Sequence, residues 1–329
     1  IEEEGVSKTH VIGHVYPLKP ESKLDLNIET EHTNIQFLQY FMRSIVEDLH
    51  GRTSGKAHFY GKFKALNIEG NLMTDASLKI GILNTSFTVT DTIRLSTSGI
   101  SFDNIRIADM EGHQGTMNGK LNFRHFRDLS YHFEFNVNNM LLMNTKENPD
   151  INFYGKVYGT GNAMLIGNPQ ELQVNAAVTT NRNTNFVYIT NATASAASNQ
   201  FIKFVDKTPR RFVQDSINVM SEYDRLQQEM EEEESKTDIR LNLLIDATPD
   251  ATMKIIMDPI AGDYISGKGS GNIRTEFFNK GDVKMFGNYR INQGIYKFSL
   301  QEVIRKDFII KDGSSITFNG PPLDATLDI

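Results

Sequence analysis

The feature that most constrains this chain is an alternation of apolar and polar residues, which recurs over most of the sequence. Leu24, Leu26 and Ile28 are separated by charged or amide residues, and residues 239–245 and 283–291 continue the pattern. A period of two places one face of a strand against apolar surroundings and the other in water. The alternation therefore predicts an all-β fold of antiparallel strands that are wet on one face.

Turn sequences separate these runs at short intervals. Asp312–Gly313 lies between the apolar runs 308–310 and 316–318, which predicts a hairpin. Strands alternating with helices at βαβ spacing are not seen, which argues against Rossmann and barrel enzymes. Further turn signals are Gly167–Pro169, Asn279–Gly281 and Asn292–Gly294.

A short glycine sequence occurs twice. Residues 159–162 (Gly-Thr-Gly-Asn) resemble residues 269–272 (Gly-Ser-Gly-Asn), and each is followed by a strand, a turn and another strand. Glycine within strands permits bulges and close backbone approach. One interpretation is a sheet that coils along an axis and adds hairpins like rungs. The other is ordinary turn chemistry, and these residues alone do not separate the two.

Two segments lack the alternation. Residues 34–50 are predicted to form an amphipathic helix over the sheet, with a capping box at Thr33 and Gln36 and a terminal glycine at Gly51. Residues 199–236 predict a short helix and an acidic insertion, which is either solvated and mobile or docks a partner. The apolar residues at helical spacing are Ile35, Leu38, Phe41, Met42, Ile45 and Leu49.

Composition excludes several classes of function. A net charge of −7 without a basic patch argues against nucleic acid, and the absence of cysteine excludes disulfides and thiolate sites. No apolar run approaches the roughly 20 residues that cross a bilayer. No catalytic motif or cofactor fingerprint is found, so we expect no enzyme and no cofactor. A surface pair at His10 and His14, and a turn at 109–113, are favoured over metal sites.

The C-terminal residues carry a resemblance to a known family. The resemblance covers residues 267–329. Spaced glycines and aromatic residues in 287–298 are followed by the segment 308–322 and then by the closing segment 323–329. This order resembles the C-terminal domain of the TamB family of translocation and assembly module proteins. The preceding part is similar to the AsmA-like region of the family, and its sequence resembles those of homologues from Bacteroides-like bacteria. That second likeness lies in 59–61, 80–85, 109–119 and 152–161.

The resemblance implies three parts. Residues 1–198 would form an AsmA-like β-groove region, 199–236 the insertion, and 237–329 a TamB C-terminal-type β-domain truncated at its end. Both ends of the sequence look cut, so we expect a piece of a longer protein. The acidic insertion departs from the family pattern, which puts the continuity of a groove there in doubt.

The resemblance also implies a function. The fold would be an elongated, coiled antiparallel sheet that forms a taco-like hydrophobic groove in the periplasm. Such a groove would carry phospholipid between the inner and outer membranes and support outer-membrane biogenesis. The parent protein would be anchored in the inner membrane of a Gram-negative bacterium by a segment outside this sequence. Its C-terminal end would meet an outer-membrane barrel of the BamA/TamA type.

Two other functions remain open. A chaperone or assembly factor for outer-membrane β-barrel proteins would pair its exposed strand edge with nascent strands. A structural or adhesive β-solenoid would have a closed, packed centre instead of a groove. A carbohydrate-active β-helix would need clustered carboxylates, and the acidic residues here are spread out.

The apolar registers predict which side chains would contact acyl chains. A groove and a packed core have the same periodicity, so the sequence leaves open which of the two these residues form. The candidate lipid-binding residues are Leu241, Leu243, Ile245, Ile255, Met257, Met285, Tyr289, Ile291, Phe298, Phe308, Ile310, Ile316, Phe318 and Leu327.

Overall fold

The computed structural model describes residues 2–3, 7–17, 22–36, 39, 46–125, 127–148, 151–190, 238–281, 283–300 and 304–328. Within these ranges, 19 strands form one hydrogen-bonded sheet. The strands are β1 Glu2–Glu3, β2 Ser7–Tyr16, β3 Lys23–Asn34, β4 Val46–Lys62, β5 Ala65–Ile80, β6 Thr85–Ser96, β7 Gly99–Asp109, β8 Gln114–Arg124, β9 Arg127–Thr145, β10 Phe153–Asn168, β11 Glu171–Thr180, β12 Asn185–Ile189, β13 Asp238–Ala247, β14 Thr252–Asp258, β15 Asp263–Phe278, β16 Lys284–Leu300, β17 Ile304–Ile310, β18 Ser315–Gly320 and β19 Thr326–Asp328. The all-β prediction is confirmed for the described part of the chain.

The first half of the sheet is a meander. From β1 to β10, each strand pairs antiparallel with the next one along the chain. The turn predicted at Gly167–Pro169 joins β10 to β11, and the turn predicted at Asn279–Gly281 joins β15 to β16. Both of these turn predictions are confirmed.

Beyond β10, long strands pair with interrupted ones. β12 pairs with the first residues of β10 and β11 with the later ones, so β11 and β12 are two pieces of one strand. β13 and β14 run parallel to these two pieces and both pair with β15. The sequences 159–162 and 269–272 lie in β10 and β15, at or next to the point where the partner strand is interrupted.

The predicted hairpin at Asp312–Gly313 is wrong. β17 and β18 do not pair with each other; both pair with β16 and run in the same direction. The backbone N–H of Gly313 donates to Ile291 O (3.0 Å) and that of Ile291 donates to Ser314 O (2.7 Å), which holds the turn beside β16 without reversing the chain. Asn292–Gly294 likewise lies inside β16, opposite an irregularity in β15.

The predicted helix at 34–50 has the wrong bounds. Asn34 ends β3 and residues 46–50 begin β4, while 37–38 and 40–45 lie outside the described residues. A register shift between Val46 and Asp48 places Val46 and Leu49 in one buried cluster, so a strand with a bulge reproduces helical spacing. Asn34, not Thr33, accepts from the Gln36 backbone. The predicted insertion at 199–236 also lies outside the described residues.

The sheet is a single layer. Apart from β9, which also contacts β6 and β7, the described strands make extensive contacts only with their ladder neighbours. A sheet with an apolar face normally covers it with a second layer. Within the described ranges, other strands cover that face only where the sheet curves over itself.

Hydrogen bonds between distant strands show that the sheet curves strongly. The backbone N–H of Asn144 in β9 donates to Leu83 O (2.9 Å) beside β6, and Asn84 Nδ2 donates back to Asn144 O (2.7 Å). In a flat sheet β6 and β9 would be about 14 Å apart, at roughly 4.8 Å per strand. The curvature buries a central core of Val89, Ile105, Ile107, Met117, Val137 and Met140.

A second core lies at the C-terminal end, where β14 to β18 enclose Ile265, Ile273, Tyr289, Ile291, Ile310, Ile316 and Phe318. Burial raises the pKa of Tyr289 from 10.0 to about 12. Because the folded pKa is raised, its stabilising effect is complete below pH 10.0 and is lost as the pH rises through about 12.

We expect the alkaline loss of stability of the C-terminal core to depend on Tyr289. Ionisation of this phenol is disfavoured in the fold by about 2 to 3 kcal/mol, so the free energy of unfolding falls between pH 10.0 and about 12. Urea unfolding at both ends of that window measures the loss. Tyr289→Phe should reduce it, and an unchanged loss in that variant would contradict the assignment.

Candidate functional site

The strand register joins apolar residues into one continuous face. Residues paired across a ladder point to the same side of a sheet, and Val11 pairs with Ile28, Ile28 with Ala57, and so on to Ile239. Every member of this row is apolar or glycine, over about 50 Å at roughly 4.8 Å per strand. We call the side that carries this row the apolar face. The row is Val11, Ile28, Ala57, Gly70, Leu95, Ile100, Leu121, Tyr131, Gly167, Leu172 and Ile239.

A parallel row continues the face towards the C-terminus. Phe133 pairs with Leu165, Leu165 with Val174, Val174 with Leu241, and Leu241 with Phe277. All five side chains are half-buried. Phe133 packs edge-to-face on Phe102 of β7, beside the central core. Leu165, Val174, Leu241 and Phe277 continue the row from there and remain half-buried.

The structure places the predicted lipid-binding residues on this same face, by register and by packing with the C-terminal core. Their burial divides them. Tyr289, Ile291, Ile310, Ile316 and Phe318 are core residues with at most 2% exposure, so they contact one another. Phe308 and Leu327 are exposed, and the half-buried remainder is Leu241, Leu243, Ile245, Ile255, Met257, Met285 and Phe298.

The N-terminal half contributes side chains that the sequence reasoning did not select. Leu26 pairs with Phe59, and Phe59 with Ile68, and all three are half-buried on the apolar face. The same alternation runs through these strands, so the signal was present in the sequence. What the sequence does not give is the register that aligns them with one another.

The opposite face is polar and carries ion pairs across neighbouring strands. Lys56 pairs with Glu29 and lowers its pKa, and Lys79 pairs with Glu47. Exposed pairs of this kind each contribute about 0 to 1 kcal/mol, so they set which face is wet more than they set stability. Further pairs on the sheet surface are Arg94–Asp103 and Arg240–Glu171.

Asp109 joins the β7–β8 turn to β9. Its side chain is 0% exposed and accepts hydrogen bonds from the backbone N–H groups of Glu111, His113 and Leu141 at 2.6 to 2.9 Å. Burial raises the pKa of this carboxyl, but these bonds and the one from His113 Nδ1 outweigh burial and lower it overall. Tyr158 Oη donates to Glu111, which joins the same turn to β10. The residues at 109–113 thus form the predicted turn, and no metal-binding cluster occurs in the described ranges.

A cavity of about 500 Å³ opens on the apolar face near the N-terminal end. The β8–β9 turn folds across to β5, where His125 Nδ1 donates a hydrogen bond to Leu66 O (3.2 Å). The cavity lies between that turn and β3 to β5. Its lining is Ile28, Phe59, Phe63, Lys64, Leu66, Ile68, His125 and Arg127.

A family model decides what kind of protein this is. The TamB C-terminal domain matches residues 103–329, which is more than half of the chain. The chain belongs to the TamB family. Comparisons with curated proteins and with solved structures give no match. The resemblance at the C-terminal end is thereby confirmed, and the match begins well before the residue 237 at which we predicted the C-terminal-type domain. The three-part division stays a prediction.

Membership of the TamB family associates the chain with the cell envelope and with outer-membrane assembly or envelope biogenesis. Among the residues that the structure describes, no helix has both the length and the hydrophobicity needed to span a membrane.

Proposed function

We propose that the apolar face of this TamB-family chain is a lipid conduit in the periplasm, a taco-like groove that carries phospholipid between the inner and outer membranes. The observation that supports this most is the unbroken apolar row from Val11 to Ile239, which crosses the strands instead of following one of them. Ala57, Leu95 and Leu172 of this row are buried, and its other members expose apolar surface to a lipid that moves across successive strands.

The energetics suit a conduit. Each CH₂ group shielded from water contributes about 0.8 kcal/mol, so one acyl chain gains on the order of 10 kcal/mol on such a surface. That is comparable to its gain in a bilayer, so a lipid can enter the groove and leave it again. The half-buried state of Val174 and Leu243 leaves apolar area available to the chain, and the polar head can remain in water.

The buried clusters mark where a lipid would not lie. The central core and the C-terminal core bury their side chains against one another, so a packed interior and a groove occupy different stretches of the same face. The conduit proposed here therefore runs over the half-buried rows. A uniformly closed β-solenoid would have no such half-buried stretches.

The remaining parts of the proposal follow from the family. The parent protein would be anchored in the inner membrane and would meet a BamA/TamA-type outer-membrane barrel at its C-terminal end. No catalysis is required, because the lipid is moved without any change in its covalent bonds.

A second function is favoured by one edge of the sheet. β17 pairs only with β16 in the described ranges, and its Ile309 is 87% exposed beside the exposed Phe308. An unpaired apolar edge can add a strand by β-augmentation. A chaperone role for nascent outer-membrane strands is therefore the alternative at this end.

Photo-crosslinking in cells tests the conduit. A photoreactive residue at Leu243, on the apolar face, is expected to capture phospholipid. The same residue at Leu244, its neighbour on the opposite face with 56% exposure, is the matched control and should capture little. Adducts are identified by mass spectrometry after digestion. Equal capture at the two positions, or none at Leu243, would argue against the groove.

A further inference from the structure

We propose that the cavity between β3–β5 and the β8–β9 turn is a charge-selective site for the head region of an anionic phospholipid. This inference rests on the proposed function and adds to it the class of lipid that is preferred and the place where it is selected. The site lies on the apolar row at Ile28, so a lipid held there would also contact the conduit.

The walls of the cavity suit the upper part of an acyl chain. Phe59 and Ile68 are register partners, and Leu66 lies one step along the same face of β5. Phe63 is 48% exposed at the mouth. A volume of about 500 Å³ falls within the range of small-molecule sites but is too small for a whole phospholipid. The remaining methylenes would continue over the neighbouring residues of the apolar face.

The rim of the cavity is basic. Lys64, His125 and Arg127 line it, and none of the described lining residues is acidic; Asp128, the next residue in the chain, is not part of the lining. Within the described ranges, neither Lys64 nor Arg127 forms an ion pair. The chain as a whole carries a net charge of −7, so the positive charge of this rim is opposite in sign to the net charge of the chain.

Several other cations of the sheet are neutralised within the fold. Lys56, Lys79 and Arg240 each pair with a carboxylate across a strand boundary. The two cations at the cavity are therefore available for an external anion. A guanidinium binds phosphate oxygens through two parallel hydrogen bonds, and an ammonium adds a point charge.

The position of His125 is held by the fold. Its backbone has a φ of 53°, an unfavourable region for a residue other than glycine, and Nδ1 is fixed by Leu66 O. A carbonyl only accepts, so Nδ1 carries the proton in this bond and Nε2 remains as the second polar atom of the ring.

The head is therefore expected to carry a phosphate with net negative charge. Phosphatidylglycerol satisfies this, because its phosphate charge is not neutralised within the head. Phosphatidylcholine carries a cationic group that Lys64 and Arg127 would repel. Free inorganic phosphate matches the rim but leaves the apolar walls empty, so it should not replace the lipid.

The test compares lipids on the purified chain by native mass spectrometry and by titration with fluorescent lipid. We expect phosphatidylglycerol to bind about tenfold more tightly than phosphatidylcholine. The double variant Lys64→Gln/Arg127→Gln should bring the two affinities close to equal while leaving phosphatidylcholine binding unchanged. The control variant Arg106→Gln/Lys284→Gln removes two exposed cations elsewhere and should keep the preference. Added salt should weaken only the anionic lipid, because it screens exposed charges.

The outcomes separate this inference from the proposed function. If both lipids bind equally to the unaltered chain, or if the double variant keeps the preference, the site is not charge-selective while the conduit stands. Displacement of phosphatidylglycerol by inorganic phosphate would show a phosphate site and would overturn the lipid assignment. If neither lipid binds and Leu243 captures none in cells, both the inference and the proposed function fail.

Discussion

Leu243→Glu is expected to slow lipid transfer strongly while leaving the sheet folded. Leu243 is half-buried on the apolar face, between Ala176 and Thr275. A carboxylate there needs water, so passing methylenes would lose their apolar contact at that point. Exposing three or four of them costs about 3 kcal/mol, which slows passage on the order of a hundredfold.

The control for this variant is its neighbour. Leu244→Glu adds the same charge to the opposite face, at a residue that is 56% exposed, and should leave lipid transfer unchanged. Leu243→Met changes the packing of the side chain but keeps the surface apolar, and it should retain lipid transfer. A loss of transfer in Leu243→Glu alone would therefore be due to the charge on the apolar face and not to altered packing. Transfer between donor and acceptor vesicles, with circular dichroism as the measure of folding, decides the matter. Full transfer by folded Leu243→Glu would contradict the conduit.

Asp109→Asn should produce a large loss of stability without any contact with lipid. The carboxylate accepts from three backbone N–H groups and from His113, whereas an amide would turn an N–H group towards one of those donors. Hydrogen bonds to charged groups contribute about 1.5 to 3 kcal/mol each, so we expect a loss of roughly 3 to 5 kcal/mol. Hydrogen exchange should rise first at the amides of His113 and Leu141, because strands in this sheet depend mainly on their neighbours.

The pH dependence of that variant has a defined sign. The folded pKa of Asp109 is lowered below 3.8, so its stabilising effect is present above that pH and is lost as the pH falls through the folded value. The difference in unfolding free energy between the unaltered chain and Asp109→Asn should therefore narrow in acid. Asp75→Asn, which removes an exposed carboxylate, is the control and should change stability by less than about 0.5 kcal/mol. A constant difference down to low pH would contradict the role given to the charge.

The alternation in the sequence predicted the fold class and the polarity of each face correctly. It also selected Leu241, Leu243 and Ile245 for the face on which the structure places them. Local backbone geometry explains this success, because side chains of a strand alternate whatever the strand pairs with. For the same reason the family resemblance at the C-terminal end could be recognised before any register was known.

Other predictions were wrong at positions where contacts between residues far apart in the chain determine the local structure. Asp312–Gly313 has the composition of a hairpin, yet Ile310 and Ile316 both pack into the C-terminal core, so β18 continues along β16. Val46 and Leu49 show helical spacing, yet a bulge against β5 places them in one strand cluster. In each case a local signal was compatible with two structures, and packing selected one.

What the sequence determined by itself was which side chains share a face, because a period of two follows from the geometry of one strand. Only the tertiary structure decided which part of that face is sealed and which is half-open. Ile316 and Leu243 have the same local pattern, but one is 1% exposed and the other half-buried. The difference arises from curvature and register, which depend on hydrogen bonds between residues far apart in the chain.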